Sequence, residues 1–188
     1  MFVAAIIFIV LLAGFVCLLR QAGRANHPLL QTFRSRGIKP GNADVLLCRR
    51  QAFISAGQLM TAREQRFLCQ LERVTDRQQW RLCPQVRVAD IVKVSSSWKS
   101  GSREWWQLFR LVAQWHCDVV ITDRNGRIMA AVELDDRSHQ ALHRQRRDLL
   151  LEEVLRQAGI PLLRSDDERT LITRIQAYLV TAEKEQKV

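Results

Sequence analysis

No two of the five cysteines, Cys17, Cys48, Cys69, Cys83 and Cys117, are spaced C-x-x-C, so a zinc ribbon or a thioredoxin-like centre is without its ligand pattern. Their odd number and scattered, often apolar settings point to free thiols, mostly buried, in a reducing compartment rather than to a disulfide scaffold. No internal repeat recurs along the chain, which excludes repeat architectures. Acidic residues are in deficit: 29 Lys and Arg against 19 Asp and Glu leave a net charge of +10. Such a balance suits nucleic acid and anionic lipid equally well, and charge alone does not choose between them.

Charge is missing altogether from Phe2 to Leu19, an apolar run of eighteen residues. Missing with it are a basic segment ahead of the run and a small-x-small cleavage site behind it, and Phe15-Val16 makes a poor lipoprotein cleavage site before Cys17. These absences argue against a cleaved leader. The expectation is an uncleaved transmembrane anchor over residues 1–20, near the short end of the roughly 17–25 residues that span the hydrocarbon core. Arg20, Arg24, Arg34, Arg36 and Lys39 follow it while nothing charged precedes it. The positive-inside rule then gives a single-pass inner-membrane topology, N-terminus outside and soluble domain cytoplasmic.

Residues 21–55 read as a linker and approach segment, punctuated by His27-Pro28, Gly37 and Pro40-Gly41-Asn42, with Ala43–Ala52 open between helical turn and strand. Residues 56–180 suffice for one domain with a sizeable core, and residues 181–188, rich in Lys and Glu, form a fraying tail. Within the domain, Thr61-Ala-Arg-Glu64 is a capping box ahead of helical spacing at Phe67, Leu68, Leu71 and Val74. Gln85–Val88 alternates as a strand, and Asp90–Val94 either extends it or turns helical. Ser102 caps a helix over Arg103–Gln114 whose Trp105, Trp106 and Phe109 are expected in the core, base stacking being the alternative. Strands follow at Cys117–Thr122 and Ile128–Leu134, then a helix over Gln140–Gln157, a strand at Ile160–Leu163, and a last helix behind a second capping box, Ser165-Asp-Asp-Glu168. That order gives an α/β fold with a mixed central sheet flanked by helices.

The most informative stretch is His116–His139, HCDVVITDRNGRIMAAVELDDRSH. Asn125-Gly126 is a two-residue hairpin signal of type I′. With that turn Arg124 pairs with Arg127, and counting outward sets Asp118 opposite Glu133, with Cβ atoms roughly 5 Å apart. The period of two puts His116 and Asp135 on the same face. Facing carboxylates repel, and a shared divalent metal is the usual reason for such a pair. Each residue also has a plainer role. Asp118 can pair with an arginine, Glu133 must be paired or metal-bound if buried, Glu64 can bond back to the Thr61 amide, and Asp135 and His139 can cap the bend and the next helix. Arg144, Arg146 and Arg147 can be a solvated helix face.

From Leu59 to Leu163 the chain resembles the DUF2726 family, on Pro84-Gln85-Val86-Arg87, the Asp118 segment, Ala131-Val-Glu-Leu-Asp-Asp-Arg-Ser-His139 and Ala158-Gly-Ile-Pro-Leu-Leu-Arg164. Through it the chain resembles the restriction-endonuclease-like, PD-(D/E)XK, nucleases. That resemblance implies catalytic Glu64, Asp118 and Glu133 and a bound Mg²⁺ or Mn²⁺. The candidate site read from the residues adds Asp135, as a metal ligand with Asp118 and Glu133, and His139, with Arg137, Arg144, Arg146 and Arg147 as candidates to meet DNA phosphates. One departure is serious: Asp135 stands where the motif carries its lysine, whose work would fall to His139, Arg144 or Arg147. The leading expectation is a membrane-anchored, Mg²⁺-dependent nuclease-like protein that hydrolyses DNA phosphodiesters. The alternatives are a catalytically inactive nucleic-acid-binding module and a membrane-associated adaptor for protein or anionic lipid.

Overall fold

Four strands pair into one sheet in the order β1 (Trp80–Arg87), β2 (His116–Asp123), β3 (Ile128–Leu134) and β4 (Leu162–Ser165). The first three are antiparallel neighbours, and β4 joins β3 in parallel. The computed structural model describes residues 12–14, 27–135 and 142–186, with side chains described over 145–185 of the last stretch. The chain divides into two units, Met1–Gly57 and Gln58–Val188. In the first, Pro28–Ser35 (α1) starts on a proline behind the His27 cap and buries Leu30, and Asn42–Leu47 (α2) is a single helical turn and a half.

The second unit carries the sheet. Thr61 and Glu64 form the expected reciprocal cap of α3 (Ala62–Val74): the Glu64 amide donates to Thr61 Oγ1 at 3.3 Å, and the Thr61 amide donates to Glu64 Oε2 at 2.7 Å. After β1 the chain takes a short helix, α4 (Val88–Ile91), and Ser102 caps α5 (Arg103–Val112). The crossover from β3 to β4 is α6 (Leu142–Gln157). The last helix, α7 (Glu168–Gln186), begins two residues later than its sequence cap suggests. Asp167, rather than Ser165, accepts the Thr170 amide at 2.8 Å, because Ser165 is still in β4.

Each face of the sheet is covered. Phe67, Leu68 and Leu71 of α3 and Leu171, Ile175 and Leu179 of α7 pack on Val119, Ile121, Val132 and Leu134. Leu151 and Leu155 of α6, Val88 of α4 and Val112 of α5 pack with Val120 and Ala131 on the other face. Burying each such aliphatic side chain stabilises the fold by roughly 1.5–3 kcal/mol. The expected mixed sheet flanked by helices is therefore present. The expected burial of the α5 aromatics is met only in part: Trp105 and Phe109 are half-buried, while Trp106 is 44% exposed.

The transmembrane expectation is corrected. Among the described residues no helix is long and apolar enough to cross a membrane, and the expected span lies almost wholly outside them, so the expected transmembrane helix, membrane partner and single-pass inner-membrane localisation find no support there. Run length measured hydropathy alone. Of residues 1–20 only Leu12–Gly14 are described, in a helix, and the rest of that run lies outside the described residues. The longest described helix, α7, carries charges at both ends and buries one stripe of side chains, as a domain helix does.

The hairpin reached its expected register by an unexpected route. The Asp123 carboxylate accepts the amides of Asn125 and Arg127, each at 2.8 Å, and the Asp123 amide donates to the Arg127 carbonyl at 3.0 Å. The result is a three-residue loop, Arg124–Gly126, with Gly126 alone at positive φ (+81°), not a type I′ turn. This loop shifts the pairing by one, to Thr122 with Ile128. A bulge between Ile121 and Thr122 shifts it back, so Ile121 pairs with Ala130 and Val119 with Val132. Met129 is the extra residue, and its carbonyl accepts from Tyr178 Oη at 2.7 Å.

Candidate carboxylate–arginine site

One step beyond the Val119–Val132 pair, the ladder sets Asp118 across from Glu133, as the sequence count expected. Alternation from Ala131 puts Glu133 on the α6 side of the sheet, where Arg147 reaches it. Asp118 Oδ2 accepts the Leu134 amide at 2.7 Å. Glu133 is 6% exposed, and its Oε1 is buried with no hydrogen-bond partner among the described residues. Its Oε2 lies 3.9 Å from an Arg147 guanidinium nitrogen of α6. Arg147 also reaches the His116 carbonyl at 3.3 Å and Asp148 at 3.5 Å, so one cation serves three acceptors.

Burial dominates the proton affinities here. Loss of water pushes the Glu133 carboxyl up to about 8, helped by the charge of Asp118 and opposed by Arg147 and Arg164. Asp118 is pushed up to about 6 by the same loss of water, although the Leu134 amide pulls it down and Glu64 adds to the rise. Desolvation, with both carboxyls next in line, pushes the neighbouring Cys117 thiol up to about 12, so this thiol is inert at neutral pH. At pH 7 the pair holds about one negative charge between its two carboxyls, as coupled acids at close range do.

Asp135 is held elsewhere. Arg164 of β4 grips it with two nitrogens, Nε donating to Oδ2 at 2.9 Å and the terminal nitrogen to Oδ1. The parallel pairing of Glu133 with Arg164 sets that fork beside the carboxylate pair, and hydrogen bonding to Asp135 raises the already high pKa of Arg164. Arg164 also lies 3.4 Å from Asp148, and Arg63 of α3 donates to the Asp135 and Asp166 carbonyls at 2.8 and 2.7 Å. Glu64 is occupied as the Thr61 cap, its plainer role, though its charge is felt at Asp118. His139 and Arg137 lie outside the described residues, as does the Arg144 side chain. Arg146 is exposed on the first turns of α6 and forms no ion pair among the described residues.

Three residues that matter here were not expected from the sequence: Arg63, Arg164 and Gln85. Arg63 and Arg164 were hidden inside a capping box and a short strand, where nothing distinguishes a buried fork from a surface arginine. Gln85 has φ +52°, the only non-glycine at positive φ among the described residues, and it is the one β1 position from Trp80 to Arg87 without a ladder partner. The pairing on either side of it leaves it facing Asp118. Left-handed backbone costs an L-residue roughly 1–2 kcal/mol, and such strain gathers at sites. Pro84 just before it on this edge strand was the available signal.

The donor set is a poor fit to the expected Mg²⁺. Asp118 and the orphan Oε1 of Glu133 offer oxygens, but Asp135 is taken by Arg164 and a guanidinium stands at Glu133. Among the described residues no group of three or more His, Cys, Asp or Glu side chains could hold a metal ion. The expectation of a membrane-anchored, Mg²⁺-dependent nuclease is corrected: among the described residues there is neither a membrane-spanning helix nor a metal-holding cluster, and arginines stand at Glu133 and Asp135.

A family model described as a protein of unknown function, DUF2726, matches residues 56–182. No curated protein matches, and no solved structure does. The comparisons do not extend to the PD-(D/E)XK nucleases. The chain belongs to the DUF2726 family.

Proposed function

We propose that this chain is a nucleic-acid-binding module that does not hydrolyse its ligand. The observation that carries this reading is the self-compensated carboxylate cluster. Asp135 is forked by Arg164, Glu133 faces Arg147, and the position next in the acidic motif holds no lysine. A phosphodiester hydrolase needs a group to activate water and a cation at the leaving oxygen. Here Asp135 and Glu133 are turned toward Arg164 and Arg147, Asp118 accepts the Leu134 amide, and burial raises the Glu133 pKa. The whole chain carries +10, and Arg146, next to Arg147 on α6, is exposed and able to meet a phosphate. The likeness to PD-(D/E)XK nucleases is, in this reading, one of scaffold.

Phosphate binding by arginine releases counterions, so affinity for a DNA duplex falls steeply with salt and does not need a divalent cation. Binding of a labelled duplex in EDTA, compared between wild type and Glu133→Gln, tests the proposal. Equal, salt-sensitive affinities support it. Mg²⁺-dependent cleavage by wild type, lost in the variant together with Mn²⁺ binding, overturns it.

A further inference from the structure

Helix α5 has an aromatic face of which Trp105 and Phe109 are half-buried and Trp106 is exposed. Trp105 and Phe109 stack with centroids 5.4 Å apart and planes 7° from parallel. Trp106 stands edge-on to both, at 4.8 and 5.8 Å. Trp106 remains 44% exposed and Trp98, in the preceding loop, 46%. An isolated exposed tryptophan needs no explanation, but a tryptophan braced by two other rings at the surface is preorganised.

The charges around it are of one sign. On a helix, positions three before and four after a residue are its neighbours on the same face. Those positions around Trp106 are Arg103 and Arg110, both exposed and neither in an ion pair among the described residues. Lys93 and Lys99 add two more exposed cations on the segment before the helix, and Glu104 is the only carboxylate from residue 93 to residue 110. Asp90, the nearest acid upstream, is taken by Arg87 at 2.8 Å.

We infer that Trp106, flanked by Arg103 and Arg110, is a stacking platform for a base of single-stranded nucleic acid, whose adjoining phosphates the two arginines meet. The inference rests on the proposed function and deepens it by naming the strandedness of the ligand. A duplex keeps its base faces stacked inside and offers Trp106 no π-surface, whereas every base of a single strand has one. An apolar protein partner would be served by the same rings but not by two uncompensated arginines beside them. The sequence reading of Trp106 as core fails for a geometric reason. Residues 105, 106 and 109 share one helix face, but α5 is anchored through its last turn, at Leu111 and Val112.

Fluorescence anisotropy of a labelled oligothymidylate and of a duplex of equal length, titrated with the full-length chain in EDTA, tests this. Trp106→Ala should weaken single-strand binding about tenfold and duplex binding little, and Trp106→Phe should restore most of the loss. Undiminished single-strand binding by Trp106→Ala overturns the inference and leaves the proposed function standing. If wild type binds neither ligand, the proposed function falls and the inference with it. An equal loss on single strand and duplex, displacement of the oligothymidylate by polyglutamate at matched charge, or a Trp106→Ala protein with a lowered urea midpoint overturns the stacking role.

Discussion

Replacing Glu133 with glutamine removes a buried acid whose ionisation the fold resists, and the consequence is a change in how stability depends on pH. The Glu133 carboxyl titrates near 4.5 in an unfolded chain and at about 8 in the folded protein. Because the folded pKa is the higher one, the folded state holds an extra proton between those values, and stability falls as pH rises through that window. At about 1.4 kcal/mol per unit, the full shift corresponds to several kcal/mol of penalty above pH 8. Asp118, pushed up to about 6, adds its own fall at lower pH in both proteins. The variant keeps the shape and an amide, whose own unmet hydrogen bonds cost about 1–3 kcal/mol at every pH. The informative quantity is therefore the difference between variant and wild type as a function of pH. Urea unfolding followed by tryptophan fluorescence, with Trp80 buried as the reporter, measures it in EDTA. The variant should gain at least ~2 kcal/mol on wild type between about pH 5 and about pH 8.5, and the difference should be flat below about pH 4. A difference independent of pH would refute the buried, proton-holding carboxyl and the reasoning built on it.

Arg164→Ala leaves Asp135 without its fork, while Asp148 keeps Arg147, and should lower stability by ~1–3 kcal/mol, less than for a fully buried pair because both partners keep some exposure. A change under ~0.5 kcal/mol in thermal unfolding would mean that the fork contributes as little as a surface ion pair. Gln85→Gly should leave stability unchanged or raised, since glycine relieves the positive φ, while Gln85→Val should lower it by ~1–2 kcal/mol; the reverse order in urea midpoints would remove the strain. Arg146→Ala should weaken DNA binding uniformly across sequences and reduce the slope of log affinity against log salt by about one. An unchanged slope would move the phosphate contact elsewhere.

Much of the domain was legible because its signals are local. The Thr61–Glu64 cap, the Ser102 cap and the apolar hairpin strands each depend on residues within one turn or one ladder step. The facing of Asp118 and Glu133 was legible for a less secure reason. The turn was a different one from that expected, because the Asp123 carboxylate captured two amides, and the bulge at Met129 returned the register to the expected count. What resolves the charge of that pair was not legible. Arg147 arrives from α6 and Arg164 from β4, fourteen and thirty-one residues beyond Glu133, and only the parallel pairing of β3 with β4 brings the second alongside. The exposure of Trp106 was hidden for a similar reason. Helical spacing tells which residues share a face but not whether another element covers it.

The central claim is that arginines, not a metal ion, balance the carboxylates and that the basic surface binds nucleic acid without cutting it. The most direct measurement is the affinity of wild type and Glu133→Gln for one labelled DNA duplex across a salt series, with and without Mg²⁺. The account predicts intact DNA throughout and the same steep salt dependence for both proteins, unchanged by Mg²⁺ beyond its ionic strength. DNA that is cleaved, or bound, only by wild type and only with Mg²⁺ would contradict it.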